Sequence, residues 1–315
     1  MVQGGKIMAF LLADVGGTNA RMALARNGAI DSATIARFRG DDHASFDEVV
    51  RIYLDQQGNP AIEAVCIDVA GPVSGGVARL TNRDWDFTEE RLRQLTGAGR
   101  ARLINDLLAL GYATPALDGE AAGFLRHGPQ GVATNGQRLV VNAGTGFNVC
   151  AVKVLPGGGI ACLEAEEGHT RLPLSIWQPL VEVLGEEDAA KHDSVEELFA
   201  GRGLARLHAL RSKTPLVRAE AVVAAAAQGD AEAEATCALY ARLFGLMCRE
   251  LALRFMPMEG MFLAGSVARS CTDRFEIFEA AFLSDPLMGR ITQAVPVGVI
   301  RDDMAALHGC LAALG

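Results

Sequence analysis

The chain has 315 residues, half of them hydrophobic and 21% charged, which is enough for two domains of ordinary size with sizeable cores. Its 38 acidic and 29 basic residues give a formal charge of −9 with no basic cluster, which excludes nucleic acid and anionic membrane as partners. No apolar run approaches the length that spans a bilayer, and the seven cysteines, odd in number and without C-x-x-C spacing, read as buried hydrophobes of a reducing, cytoplasmic compartment.

The first apolar run, Phe10 to Ala13, suits a buried strand, and Arg21 to Ala25 suits a second. Between them stand Asp14, Gly16, Gly17, Thr18 and Asn19. Two glycines let the backbone turn sharply and bring its N–H groups to an anion. Thr18 and Asn19 add side-chain donors, and Asp14 can hold a hydrated Mg²⁺ without touching the anion. Ala33 to Arg37 reads as a further strand. Ser45-x-x-Glu48 is a capping box, and Phe46, Val49, Val50, Tyr53 and Leu54 follow at helical spacing. Ala64 to Ala70 is a buried strand closed by Gly71-Pro72. Val77 to Leu80 leads to Thr81-Asn82-Arg83-Asp84-Trp85, and Thr88 opens a short helix. Arg102 to Ile104 is a brief strand with Asn105-Asp106 at its end, and a helix carries Leu107 to Tyr112.

Residues 118–137 are polar and glycine-rich, hence a long loop or lobe. The opening pattern then returns: strand Leu139 to Val141, turn Gly144-Thr145-Gly146, strand Val149 to Val154. Strand Ile160 to Leu163 precedes a loop bearing Glu166 and His169. A second capping box, Ser194-x-x-Glu197, starts a mainly helical stretch, with helices over Ala219 to Gln228 and Glu232 to Phe255. Gly260 to Ala264 is a strand ending in Gly265-Ser266, Pro296 to Ile300 a last strand, and Asp302 to Leu314 a last helix. Two α/β halves that open alike suggest duplicated architecture.

There is no G-x-x-x-x-G-K-[ST], so the chain is not a P-loop protein. Gly144-Thr145-Gly146 lacks the third glycine and the helix of a dinucleotide fingerprint. Two glycine turns between antiparallel strands fit another arrangement, in which two hairpins grip phosphates from opposite sides. Asp106, after a strand and before a helix, suits either a helix N-cap or a general base for phosphoryl transfer to an alcohol. Glu166 and His169, three apart, either clasp neighbouring hydroxyls or form a solvated loop.

Asp14-Val-Gly-Gly-Thr-Asn-Ala-Arg21 resembles the first phosphate segment of bacterial glucokinases, in the superfamily of hexokinases and actin. The likeness continues in order through Thr81-Asn82-x-x-Trp85, Ile104-Asn105-Asp106, Ala143-Gly144-Thr145-Gly146, Glu166-x-Gly168-His169, Glu196 before Gly201-x-Gly203-Leu204, and Phe262-x-Ala264-Gly265. The resemblance implies an α/β, two-domain actin-like ATPase (ribonuclease H-like) fold with an active-site cleft between domains. It would have a small domain of residues 1–105 plus 299–315 and a large one of 106–298. It implies an ATP-dependent glucokinase that phosphorylates the 6-hydroxyl of glucose or a related hexose. Asp106 would be the base. Asn82, Asn105, Asp106, Glu166, His169 and Glu196 would hold the sugar. Asp14, Gly16, Gly17, Thr18, Asn19, Gly144, Thr145, Gly146 and Gly265 would hold ATP, with Mg²⁺ bound to Asp14 through water. It also implies a homodimer. Against the family pattern, Glu167 replaces a glycine and would add a charge beside the sugar. Phe147-Asn148 replaces a small or aliphatic residue and glycine after the second phosphate turn, and Ser266 replaces a glycine near the adenosine. The rival readings are a kinase for another hexose, a non-catalytic sugar-responsive regulator on the same fold, or an actin-like polymerising ATPase.

Overall fold

The apolar run of the first strand, Ala9–Val15, buries Ala9, Leu11, Leu12, Ala13 and Val15 completely, as a strand covered on both faces must. The computed structural model describes residues 8–80, 83–117 and 119–315. They form two compact units, Met1–Leu117 with Asp302–Gly315, and Asp118–Arg301.

In the first unit, Ala9–Val15 pairs antiparallel with Asn19–Arg26 and parallel with Ile62–Val69, which pairs parallel with Arg100–Asn105. The short strands Ala29–Ile30 and Ala36–Arg39 extend the hairpin side. Helix Phe46–Gln56 starts where the capping box predicts, with Ser45 accepting from the Glu48 N–H at 3.3 Å. Its Phe46, Val49, Val50, Tyr53 and Leu54 join Leu11, Met22 and Phe87 in one core. The C-terminal helix Ala305–Leu314 packs on Asp106–Ala113 and on the first and third long strands. That packing places helix Asp106–Ala113 in the first unit, where the sequence reading put the boundary at residue 105.

The second unit repeats the scheme. Gln137–Ala143 pairs antiparallel with Phe147–Val154 and parallel with Met261–Ala264, which pairs parallel with Val297–Val299. Ile160–Leu163 continues the hairpin side. The segment expected as a loop or lobe holds a helical turn, Gly119–Ala122, and a strand, Phe124–Arg126, paired antiparallel with Val297 and Gly298. Its few apolar residues account for the difference: Phe124 packs its ring on Phe262 at 6.0 Å between centroids. The unit's core gathers Phe147, Phe199, Tyr240, Phe244, Phe278 and Phe282 around the 25-residue helix Ala231–Phe255. Among the described residues, no helix is long and apolar enough to cross a membrane.

Candidate functional site

The first hairpin turns at Gly16–Thr18, closed by Gly16 N–H donating to Asn19 O at 3.0 Å. Among the described residues, the Gly17 and Thr18 N–H groups at the tip have no backbone partner. Neither Gly16 nor Gly17 has positive φ, so these glycines serve close approach to the backbone rather than a left-handed turn.

Register brings three carboxylates to the carboxyl ends of the parallel strands, where open α/β sheets take their ligands. Asp14 lies beside Asp68 across one ladder, and Val69 lies beside Asn105 across the next. Asp68 is fully buried; its Oδ2 accepts from Cys310 Sγ at 3.3 Å, and its Oδ1 has no partner among the described residues. Burial, then the charges of Asp14 and Asp106, push the Asp68 carboxyl well above the usual range. Burial also raises Asp14, although the Arg21 guanidinium pulls the other way. Asp106 is raised by burial and by the Asp14 charge, against the lowering effect of the Leu107 N–H, which its Oδ1 accepts at 2.9 Å.

The residue that caps helix Asp106–Ala113 is Asn105. Its Oδ1 accepts from the Leu107 N–H at 2.9 Å, and its Nδ2 donates to Gly71 O at 3.0 Å. Asn105 thus fixes the strand-to-helix corner on which Asp106 stands. Asn82, expected among the sugar ligands, lies outside the described residues.

In the second unit the turn Gly144–Gly146 is closed by Gly144 N–H donating to Gly146 O at 2.9 Å. The Thr145 and Gly146 N–H groups have no backbone partner among the described residues. Gly265 abuts this turn: its φ is +89°, and a Cβ there would lie 2.3 Å from Ala143 O. Only glycine fits on both counts. Ser266, next in the chain, opens the short helix Ser266–Ser270.

Glu196 sits on helix Val195–Phe199, which Ser194 caps. Its Oε2 accepts from the Phe147 N–H at 2.9 Å and its Oε1 from Arg202 Nη2 at 2.6 Å. Burial alone would raise this carboxyl, but the Arg202 and Phe147 hydrogen bonds outweigh it and hold Glu196 below its ordinary value. Glu166 precedes the 3₁₀ turn Glu167–His169 and His169 ends it, with Glu166 Oε2 and His169 Nε2 4.0 Å apart and both side chains exposed. Gly168 presses this loop onto the hairpin, since a Cβ there would lie 2.3 Å from Phe147 O and 3.2 Å from Glu196 Cβ. The structure therefore collects Glu166, His169, Glu196 and the Gly144–Gly146 turn in one unit.

Glu167 does not add a charge beside Glu166 and His169. Its side chain is buried and ion-paired with Arg254 of the long helix. Asn148 contacts the Glu166 loop: its Nδ2 donates to Ala165 O at 2.6 Å, and its Oδ1 accepts from the Glu167 N–H at 3.1 Å. Phe147 fills the core.

Sequence reasoning missed Asp68 and Arg202. Asp68 had a signal, an acid near the carboxyl end of a buried strand. Arg202 had none beyond its place between two glycines.

The donor chemistry fits a metal-bound nucleotide. N–H groups without a backbone partner among the described residues, at a hairpin tip, suit phosphate oxygens, and a carboxylate such as Asp14 suits an ion that keeps its waters. Among the described residues, no cluster of three or more His, Cys, Asp or Glu is arranged to cage a metal by itself.

The family model described as glucokinase matches residues 11–315. A glucokinase of Cupriavidus pinatubonensis is 32% identical over 322 residues, covering 96% of this chain and 91% of its own. One from Caulobacter sp. is 29% identical over 320 residues, covering 96% and 94%. Among solved structures, the glucokinase of an Antarctic psychrotroph superposes with a TM-score of 0.85 at 28% identity, covering 97% of this chain and 98% of that one. The fold is the two-domain actin-like ATPase fold that the sequence resemblance implied.

Proposed function

The chain belongs to the glucokinase family, a family of hexose kinases, and from that premise we propose that it transfers the γ-phosphoryl group of ATP to the 6-hydroxyl of glucose. The observation that carries this reading is the second unit's arrangement. Glu166, His169 and Glu196 are packed through Gly168 and the Phe147 N–H against the same glycine turn whose Thr145 and Gly146 amides have no backbone partner among the described residues. Groups that pair hydroxyls and groups that cradle phosphate thus belong to one compact unit.

Each residue then has a task. Asp106, with its pKa raised, accepts the proton of the attacking hydroxyl, and Asn105 sets its position. Glu196 enters the reaction ionised and already oriented by Arg202 and the Phe147 N–H, so it accepts a sugar hydroxyl without reorganising. Glu166 and His169, exposed on the same loop, pair neighbouring hydroxyls. The Gly17 and Thr18 amides and the Thr145 and Gly146 amides bind phosphate oxygens. Asp14 would hold Mg²⁺ through water; when bound, that ion neutralises charge on the phosphates.

The test is ADP release, followed by a coupled assay over a panel of hexoses. Glucose should give the highest kcat/KM. Faster turnover with another hexose would move the substrate and leave the kinase chemistry. No turnover with any hexose would sink the proposal.

A further inference from the structure

Two departures from the family pattern, Asn148 and Glu167, meet on the same loop. Asn148, the second residue of strand Phe147–Val154, fastens the loop from the hairpin side. It donates to Ala165 O at 2.6 Å and to Glu166 Oε2 at 3.4 Å, and accepts from the Glu167 N–H at 3.1 Å. Glu167 fastens it from the helix side. Its carboxylate turns inward, 8% exposed, onto Arg254 in the last turn of helix Ala231–Phe255. Thr170 closes the far end, its Oγ1 donating to Glu167 O at 2.8 Å. Glu166 and His169 stand outward on either side of this anchor, 78% and 73% exposed.

A buried carboxylate survives only with a partner, because stranding it in a poorly solvated site is costly. The pair therefore fixes more than charge: while Arg254 is present, Glu167 has one favourable direction, and the backbone between Glu166 and His169 must follow it. Arg254 also lies at a helix C-terminus, where a cation is favoured and the side chain is held near the last turn.

We infer that Asn148, Glu167 and Arg254 form a brace that sets Glu166 and His169 for sugar recognition. Glu167 and Arg254 are thus positioning residues that never touch the sugar. The inference rests on the reading of Glu166 and His169 as sugar ligands.

The test compares the native chain with Arg254→Ala, Arg254→Lys and Glu167→Gln, measuring glucose KM, ATP KM, kcat and Tm in each. Glu167→Gln is included because, if Arg254→Ala fails to fold, it breaks the pair without stranding a buried carboxylate: the charge it leaves is that of Arg254, which is 44% exposed. A misplaced ligand loop costs on the order of ten- to a hundredfold, so Arg254→Ala should raise glucose KM by about that much while ATP KM stays near native. Arg254→Lys should recover most of the loss, and Glu167→Gln should shift glucose KM in the same direction as Arg254→Ala. A fall in Tm with glucose KM unchanged, or equal rises in both KM values, would reduce the brace to a structural strut. Absence of glucose turnover in the native chain would overturn the sugar-kinase reading and the brace with it, whereas native turnover with insensitive variants would overturn the brace alone.

Discussion

Replacing Asp106 with asparagine should separate activity from stability. The amide oxygen can keep the Leu107 N–H bond that Asp106 Oδ1 accepts at 2.9 Å, and Asn105 still caps the helix. The corner should therefore survive. What disappears is the base, and a positioned acid or base is worth about 10²–10⁴ in rate. That is about 3–5 kcal/mol of barrier, taking about 1.36 kcal/mol per decade. Stability should move the other way. The Asp106 carboxyl is raised by burial and by the Asp14 charge, so the native state holds its proton more tightly than the unfolded chain does. Such a group contributes stability that is complete below its unfolded pKa and is lost as pH rises through its folded pKa. Once pH exceeds that folded pKa the native chain has lost it, whereas the asparagine variant has no charge to bury. Tm at pH 7 should thus equal or exceed native, and the difference should shrink toward acid pH. In the native enzyme the same raised pKa places the acid limb of kcat/KM for glucose above the ordinary carboxylate range. The assays are coupled ADP release and thermal unfolding across pH. Turnover within about threefold of native, well short of the loss of a general base, or a lost activity that tracks a lowered Tm, would refute the reasoning.

Glu166→Ala and His169→Ala should each lower kcat/KM for glucose by about tenfold or more, the loss of one hydroxyl-pairing bond, with ATP KM unchanged; native glucose kinetics in both would remove them from the sugar site. Gly265→Ala forces a Cβ to within 2.3 Å of Ala143 O at a φ of +89°, so denaturant unfolding should show a loss of about 1–3 kcal/mol; an unmoved midpoint would mean the turn relaxes freely. Asp68 is raised well above the usual range, chiefly by burial, so native unfolding free energy should decline as pH rises past the ordinary carboxylate range, and Asp68→Asn should flatten that slope. Equal slopes in the two proteins would mean Asp68 titrates normally.

Local chemistry made much of the fold legible. Glycine turns between apolar runs marked both hairpins, and Ser45 and Ser194 cap the helices that their spacing announced. Strand Phe124–Arg126 escaped because its three residues sit in a polar, glycine-rich stretch and are held by partners distant in sequence: strand pairing with Val297 and Gly298, the Phe262 ring and Glu279. The candidate site divides the same way. Residues in contiguous segments, such as Asp14 to Asn19 or Glu166 to His169, stood out as short patterns. The direction of Glu167 did not, because it is set by Arg254, 87 positions away. The corner at Asn105 and Asp106 was ambiguous because both side chains accept from the same Leu107 N–H at 2.9 Å, a sharing that spacing alone leaves open. Asp68 was visible as an acid in a strand, but its isolation among Asp14, Asp106 and Cys310 is a product of strand register and of the C-terminal helix.

The most direct test is the initial rate of ADP formation by the purified native chain with ATP, Mg²⁺ and glucose, run beside Asp106→Asn. The native chain should give saturable, glucose-dependent ADP release with glucose 6-phosphate formed in equal amount, and the variant should lose nearly all of it. A native chain that binds glucose but releases no ADP would contradict the account and point to a sugar-responsive protein without catalysis.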